Sequence, residues 1–316
     1  MTPSEHRMDL RTQPSPSPRV AAAHASTTPE LVQDARAVLG EGPAWDAAAG
    51  ELLWVDILGR RVHRYRPEDG SDITIEMPAH VSAVAPRAGG GFILTLRDGF
   101  WLLDPGARVP RPYRLINADE PGMRFNDGRV DAAGRFWAGT MAYDLTEGAA
   151  ALYRLDPDGS LTTMLQGVTI SNGITWTADG RTMYYIDTPT RRIDAFDADP
   201  ASGAIGGRRT VVQLPDDVAG VPDGMTIDDE GGLWVALWDG WAVHRYLPQG
   251  TLDAIIPMPV ARPSSCAFGG PDLSDLYITT ARPGDLTEVP PDQPGAGGLF
   301  RVRPGVKGIP STPFGG

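Results

Sequence analysis

Cysteine is almost absent: Cys266 stands alone in 316 residues, and one sulfur can neither close an internal disulfide nor build a thiolate zinc site. A chain without disulfides reads as cytoplasmic. No run of about 18 apolar residues occurs, so no segment reads as a membrane-spanning helix. The N-terminus carries charges where a signal peptide would have its apolar core. Basic charge is also scarce. The 28 Lys and Arg face 40 Asp and Glu, a formal charge of −12. That balance argues against nucleic acid or an anionic membrane as partner, since both reward clustered cations, and it suits the binding of cations. Also missing are a Gly-x-Ser-x-Gly nucleophile elbow and any sustained helical period with caps.

What remains is a globular composition, 41% hydrophobic and 22% charged, which excludes wholesale disorder. Residues 1–32 are rich in Ser, Thr, Pro and Ala and include the run Pro14-Ser15-Pro16-Ser17-Pro18. They read as a mobile N-terminal extension. Residues 33–316 read as one domain, because the sequence repeats itself. Six segments open on Glu41-Gly42, Val81-Ser82, Asp127-Gly128, Asn172-Gly173, Asp223-Gly224 and Ser264-Ser265, at intervals of 40, 46, 45, 51 and 41 residues. Each opening leads into an apolar stretch, a Gly-containing turn and an aromatic, β-branched strand such as Leu52-Leu53-Trp54-Val55 or Leu233-Trp234-Val235-Ala236.

A period of about 40–50 residues is that of a four-stranded propeller blade. The expected fold is all-β: a six-bladed β-propeller with four-stranded antiparallel blades. Two stacked sandwiches would not require so regular a repeat. Ring closure by an N-terminal strand is expected from Ala35-Arg36-Ala37-Val38-Leu39, which has no other partner.

The first strand of each blade is innermost, so the openings Glu41, Val81, Asp127, Asn172, Asp223 and Ser264 surround the central channel at one end. Three are carboxylates. Like charges 4 Å apart repel by about 4 kcal/mol at an effective dielectric of 20, so such a set needs a cation, a shared proton or wide spacing. Oxygen donors with one amide suit one hard divalent ion, Ca²⁺, Mg²⁺ or Mn²⁺, with Zn²⁺ and Fe²⁺ also possible. An isolated Asp-Gly usually marks a turn, but separate turn signals follow in these repeats, at Ala48-Ala49-Gly50, Ala133-Gly134, Asp179-Gly180 and Glu230-Gly231-Gly232. Cys266 reads as core packing, and His80 as a residue that could border the channel mouth.

These residues resemble the gluconolactonase and regucalcin (senescence marker protein) family of six-bladed propellers. The resemblance spans residues 35–305 and rests on Leu39-Gly40-Glu41-Gly42-Pro43, Arg124-Phe125-Asn126-Asp127-Gly128, Ala138-Gly139-Thr140-Met141, Ser171-Asn172-Gly173 and Pro222-Asp223-Gly224-Met225. It implies that Glu41, Asn172 and Asp223 hold one divalent metal and that Asp223 serves as general base. It places Arg124 and Asn126 against substrate hydroxyls and Asp127 on the channel wall. A substrate-contacting Glu of the family falls at Asp144, a shorter carboxylate. The implied activity is metal-dependent hydrolysis of a gluconolactone-like aldonolactone to the aldonic acid; the alternative is a non-catalytic propeller that binds calcium or a partner.

Overall fold

A computed structural model of the chain describes residues 28–283 and 289–316. The described residues form six four-stranded antiparallel sheets. From the axis outward, blade 1 runs Gly40–Asp46, Glu51–Asp56, Arg61–Arg66 and Ser71–Glu76. Blade 2 runs Val81–Pro86, Phe92–Leu96, Gly99–Leu103 and Arg111–Leu115. Blade 3 comprises Met123–Val130, Phe136–Ala142, Ala150–Leu155 and Leu161–Val168. Blade 4 comprises Ser171–Trp176, Thr182–Asp187, Arg192–Ala198 and Ile205–Gln213. Blade 5 has Val221–Ile227, Leu233–Trp238, Ala242–Tyr246 and Leu252–Pro257. Blade 6 has Pro263–Gly269, Asp275–Thr280, Leu299–Val302 and, outermost, Glu30–Gln33. Each inner strand packs against the inner strands on either side, and the last contacts the first. The sheets therefore form a closed ring, the propeller expected from the period. Among the described residues the only helical segment is one 3₁₀ turn, Thr188–Thr190, and no helix is long and apolar enough to cross a membrane.

The core lies between blades rather than within one layer. Buried apolar side chains divide into clusters that each join two neighbours: Leu53 and Val55 meet Val84 and Leu94, Trp137 meets Ile174 and Tyr185, and Trp54 meets Tyr277. This is why the second strands, buried on both faces, read as near-continuous apolar runs. The hairpin turns fall where expected, with Gly50, Gly134, Gly180 and Gly231 all at positive φ.

One expectation is corrected. Residues 35–39 do not form a strand; the outermost strand of blade 6 is Glu30–Gln33, paired with Leu299–Val302. The backbone N–H groups of Val38 and Leu39 donate to the Asp56 carboxylate, both at 3.0 Å, and Arg36 takes φ 51°. With those donors turned to its own blade the segment forms no ladder, and it meets blade 6 through the isolated Leu39–Ala281 bridge and the Ala37 N–H bond to the Gly297 carbonyl. The Glu30–Gln33 strand begins inside the stretch 1–32 read as an N-terminal extension; residues 1–27 of that stretch lie outside the described residues.

The last residues cross the far mouth of the channel as a strap. The Asp229 N–H donates to the Lys307 carbonyl and the Gly308 N–H to the Leu273 carbonyl. The Ser311 hydroxyl donates to the Trp45 carbonyl at 2.8 Å, Phe314 exchanges backbone bonds with Pro86 and Ala88, and the Gly315 N–H reaches the Gly134 carbonyl. Blades 5, 6, 1, 2 and 3 are thus tied together. Phe314 is fully buried, packed in the cluster between blades 2 and 3.

Candidate metal and substrate site

Every inner strand carries a register shift where its repeat opens: between Glu41 and Ala44, Val81 and Ala83, Phe125 and Gly128, Asn172 and Ile174, Pro222 and Met225, and Pro263 and Ser265. A bulge puts two residues opposite one, bends the strand and re-aims a side chain. Here the re-aimed side chains are the axial residues. The glycine that follows answers a packing demand. A Cβ on Gly173 would stand 2.8 Å from the Asp223 carbonyl oxygen, and one on Gly224 would stand 2.1 Å from Ser265 Oγ. Neighbouring inner strands come that close only with no side chain between them.

Glu41, Arg124, Asn126, Asp127, Asn172 and Asp223 are all at most 8% exposed. Each carboxylate accepts a bond from the next N–H: Glu41 Oε2 from Gly42 at 3.1 Å, Asp127 Oδ1 from Gly128 at 2.7 Å, and Asp223 from Gly224. The Asn172 Nδ2 donates to Thr188 Oγ1 at 2.8 Å, and that hydroxyl donates to the Pro222 carbonyl at 2.9 Å. Thr188 can therefore only accept from Asn172, which fixes the amide orientation. Asn126 Nδ2 donates to Asn172 Oδ1 at 3.1 Å and to the Ser171 carbonyl at 2.8 Å, and Arg124 Nη1 donates to Asn126 Oδ1 at 2.8 Å. Blades 3, 4 and 5 are stitched together through the side chains that define the site.

The electrostatics show that the carboxylates share one space. Burial, then the charges of Asp223 and Asp127, hold the Glu41 carboxyl well above the ordinary carboxylate range. Burial and Asp127 raise Asp223 likewise, opposed by Arg124 and a hydrogen bond from Asn172. Asp127 is raised by burial, with Arg129 opposing. Burial brings the Arg124 guanidinium down to about 10, which leaves it charged at neutral pH. Buried like charges of this kind favour a bound cation or a held proton, and two carboxylates with an oriented amide oxygen are the donors that a hard divalent ion accepts. No cluster of three His, Cys, Asp or Glu suited to a metal occurs among the described residues. The set that fits needs the amide.

Two side chains fall elsewhere than the sequence suggested, Asp144 and Ser264. Asp144 is exposed, and its Oδ1 accepts from the Thr146 N–H at 3.0 Å and the Thr146 hydroxyl at 2.7 Å; it caps its own loop instead of joining Arg124. Tyr143 stands there, with its ring 6.0 Å from the Arg124 guanidinium and its hydroxyl sharing a 2.6 Å hydrogen bond with His80 Nδ1. No motif pointed to Tyr143. Ser264 is spent on structure, donating to the Gly40 carbonyl across the seam between blades 6 and 1 at 2.5 Å. Cys266 packs as expected, and burial raises its thiol to about 12.

The family model described as SMP-30/Gluconolactonase/LRE-like region matches residues 39–282. The chain belongs to this family. A regucalcin of Gallus gallus is 42% identical over 294 residues, 91% of this chain and 98% of its own. The Bacillus subtilis protein YvrE, named as a sugar lactone lactonase, is 40% identical over 291 residues, 90% of this chain and 98% of its own. Among solved structures, a calcium-binding regucalcin from Agrobacterium tumefaciens aligns with a TM-score of 0.85 and 30% identity, over 91% of this chain and 97% of that one. That structure shares the fold described above.

Proposed function

We propose that the protein hydrolyses a sugar lactone to its aldonic acid, with a divalent cation held by Glu41, Asn172 and Asp223. The observation that carries this reading is the burial of Glu41 within the field of Asp223 and Asp127, whose charges raise its proton affinity, beside an amide whose orientation is fixed by Thr188. Family membership and a lactonase-named relative support sugar lactone hydrolysis in general. Dependence on the metal, the aldonolactone class and the cytoplasmic setting are the finer parts of the proposal.

A cation bound there would supply Lewis-acid polarisation of the ester carbonyl and charge for its developing oxyanion. The chain's own residues do the rest. Arg124 and Asn126, held rigid by their mutual hydrogen bond, orient the sugar hydroxyls. Asp223 accepts a proton from the water whose oxygen bonds to the carbonyl carbon. The ring carbon–oxygen bond then breaks, and the same carboxyl returns the proton to the departing alkoxide oxygen, giving a hydroxy acid. Asp127 lines the channel and reinforces the negative field. Tyr143 and His80 border the mouth where a lactone would enter.

The calcium-binding description of the Agrobacterium tumefaciens relative favours a second reading, a propeller that binds Ca²⁺ without turnover. Acid release from glucono-, galactono-, xylono- and arabinono-lactones, followed with a pH indicator, separates the two. Turnover that stops with EDTA, returns with metal and is lost in Asp223→Ala with the fold intact supports the hydrolase. Background rates alongside tight Ca²⁺ binding would leave only the second reading.

A further inference from the structure

The central channel has a second chamber. On the far side of the carboxylates lies a cavity of about 470 Å³, walled by the far ends of all six inner strands and roofed by Ile309–Thr312 of the strap. That is ample for a small organic molecule, since ligand pockets run from about 300 to 1,000 Å³. Its walls are mostly apolar and aromatic, with Trp45, Val84, Trp176, Ile227, Phe268 and Pro310 among them. The strap is bonded to every blade but the fourth, and the exposed rim residues Ala132 and Ala178 leave an entrance on that side.

One cation lines this apolar chamber. Arg129 donates to Thr226 Oγ1 at 3.1 Å and weakly to the Cys266 carbonyl at 3.5 Å. Two neighbouring arginines of this end are neutralised at contact: Arg135 pairs with Asp131 at 3.1 Å and Arg245 with Asp228 at 2.7 Å. Arg129 makes no ion pair among the described residues; Asp127 acts on it only through its field. A guanidinium has five N–H donors, so most of its donor capacity is left for something else. A partly buried cation with spare donors, in an aromatic chamber, is the arrangement that receives a carboxylate.

We propose that the far chamber binds a small monocarboxylate with a flat apolar body, its carboxylate on Arg129 and its body against Trp45, Trp176 and Phe268. Thr226, whose oxygen accepts from Arg129, steers the guanidinium and can donate its own hydroxyl hydrogen to the ligand. This site is separate from the metal end and does not depend on the proposed hydrolysis.

The test is a calorimetric titration of the full chain, with excess Ca²⁺ present, using benzoate as probe and benzyl alcohol and acetate as controls. Benzoate should bind. Benzyl alcohol, which lacks the charge, and acetate, which lacks the body, should each be weaker by about tenfold or more. Arg129→Met should weaken benzoate by a similar factor, as should Ala44→Leu, which fills the chamber from the blade 1 wall without touching a charge. Arg124→Met, at the metal end, should retain benzoate affinity. Should Arg129→Met prove unfolded, Thr226→Val carries the same test with the charge kept and should weaken benzoate several-fold. The proposal is overturned if benzoate fails to bind at about 20 mM, if either control binds equally well, if Ala44→Leu or Thr226→Val binds like wild type, or if the loss follows Arg124 instead of Arg129.

Discussion

Asp228 is fully buried, at the opposite end of the inner strand that begins around Asp223, and its carboxylate is saturated. Oδ1 accepts from the Glu230 and Gly232 N–H groups at 3.0 and 2.7 Å, and Oδ2 from Trp234 Nε1 and Arg245 Nε at 2.8 and 2.7 Å. Replacing it with alanine strands the buried Gly232 N–H and Trp234 indole donors and removes one partner of a buried ion pair. Breaking such a pair costs about 3–5 kcal/mol. Arg245 keeps Glu230 at 2.8 Å and Asp253 at 2.5 Å, which places the expected loss toward the lower end. With an unfolding entropy on the order of 0.6 kcal/mol/K for a chain of this size, the midpoint should drop by about 5–8 °C. Calorimetry and urea unfolding measure the loss, and lactone turnover at 25 °C should stay near wild type because Asp223 lies five residues away at the other mouth. A loss below about 1 kcal/mol would mean that the saturated carboxylate contributes no more than an exposed one, and the reasoning would be refuted.

Further outcomes follow from the same physics. Glu41→Gln should abolish turnover yet, in chelator, raise stability at pH 7.5 relative to wild type. The folded-state pKa of Glu41 lies above its unfolded value, so stability falls as pH rises from the unfolded pKa toward the folded one, by about 1.4 kcal/mol for each pH unit crossed. Near pH 4, where Glu41 is protonated in the fold, urea midpoints of the two proteins should converge. His244 is held neutral by burial, its pKa lowered to about 4; stability tied to it is complete above about pH 6.5 and is lost as pH falls toward 4, by about 1–2 kcal/mol at pH 5. A His244→Gln variant should lack that part of the acid sensitivity in parallel unfolding curves. Phe314→Ala should cost about 3–5 kcal/mol, read by calorimetry, because its ring sits buried beside Tyr113 with centroids 6.4 Å apart.

Sequence carried the ring because ring-building is periodic: one opening per blade, most of them a polar residue before a glycine, and the bulge at every opening is the physical reason the pattern repeats. The site was legible for the same cause, since pseudo-symmetry turns a column of repeat openings into neighbours around an axis. What escaped depends on contacts distant in sequence. Nothing in Glu30-Leu31-Val32-Gln33 distinguishes it from a tail, and the Asp56 carboxylate that captures Val38 and Leu39 lies 18 and 17 residues downstream. Asp144 accepts from Thr146 within its own loop, where Leu145 takes φ 61°, while Tyr143 faces Arg124, a local arrangement that a motif aligned by spacing does not register. The strap has no alternation to reveal it; only Phe314 hints that a Pro- and Gly-rich ending is buried.

The strap gives the wheel a second fastening. In blade 6 the first and last of the described strands are joined by a single edge pairing, and each is only four residues long, so pulling Glu30–Gln33 away should leave a gap in that sheet alone. The hub would stay shut, because a separate band runs across it from blade 5 round to blade 3, like a hoop driven over staves. Loss of the leading segment and loss of the trailing one are therefore unequal injuries. The first frays a rim; the second frees the centre to spread.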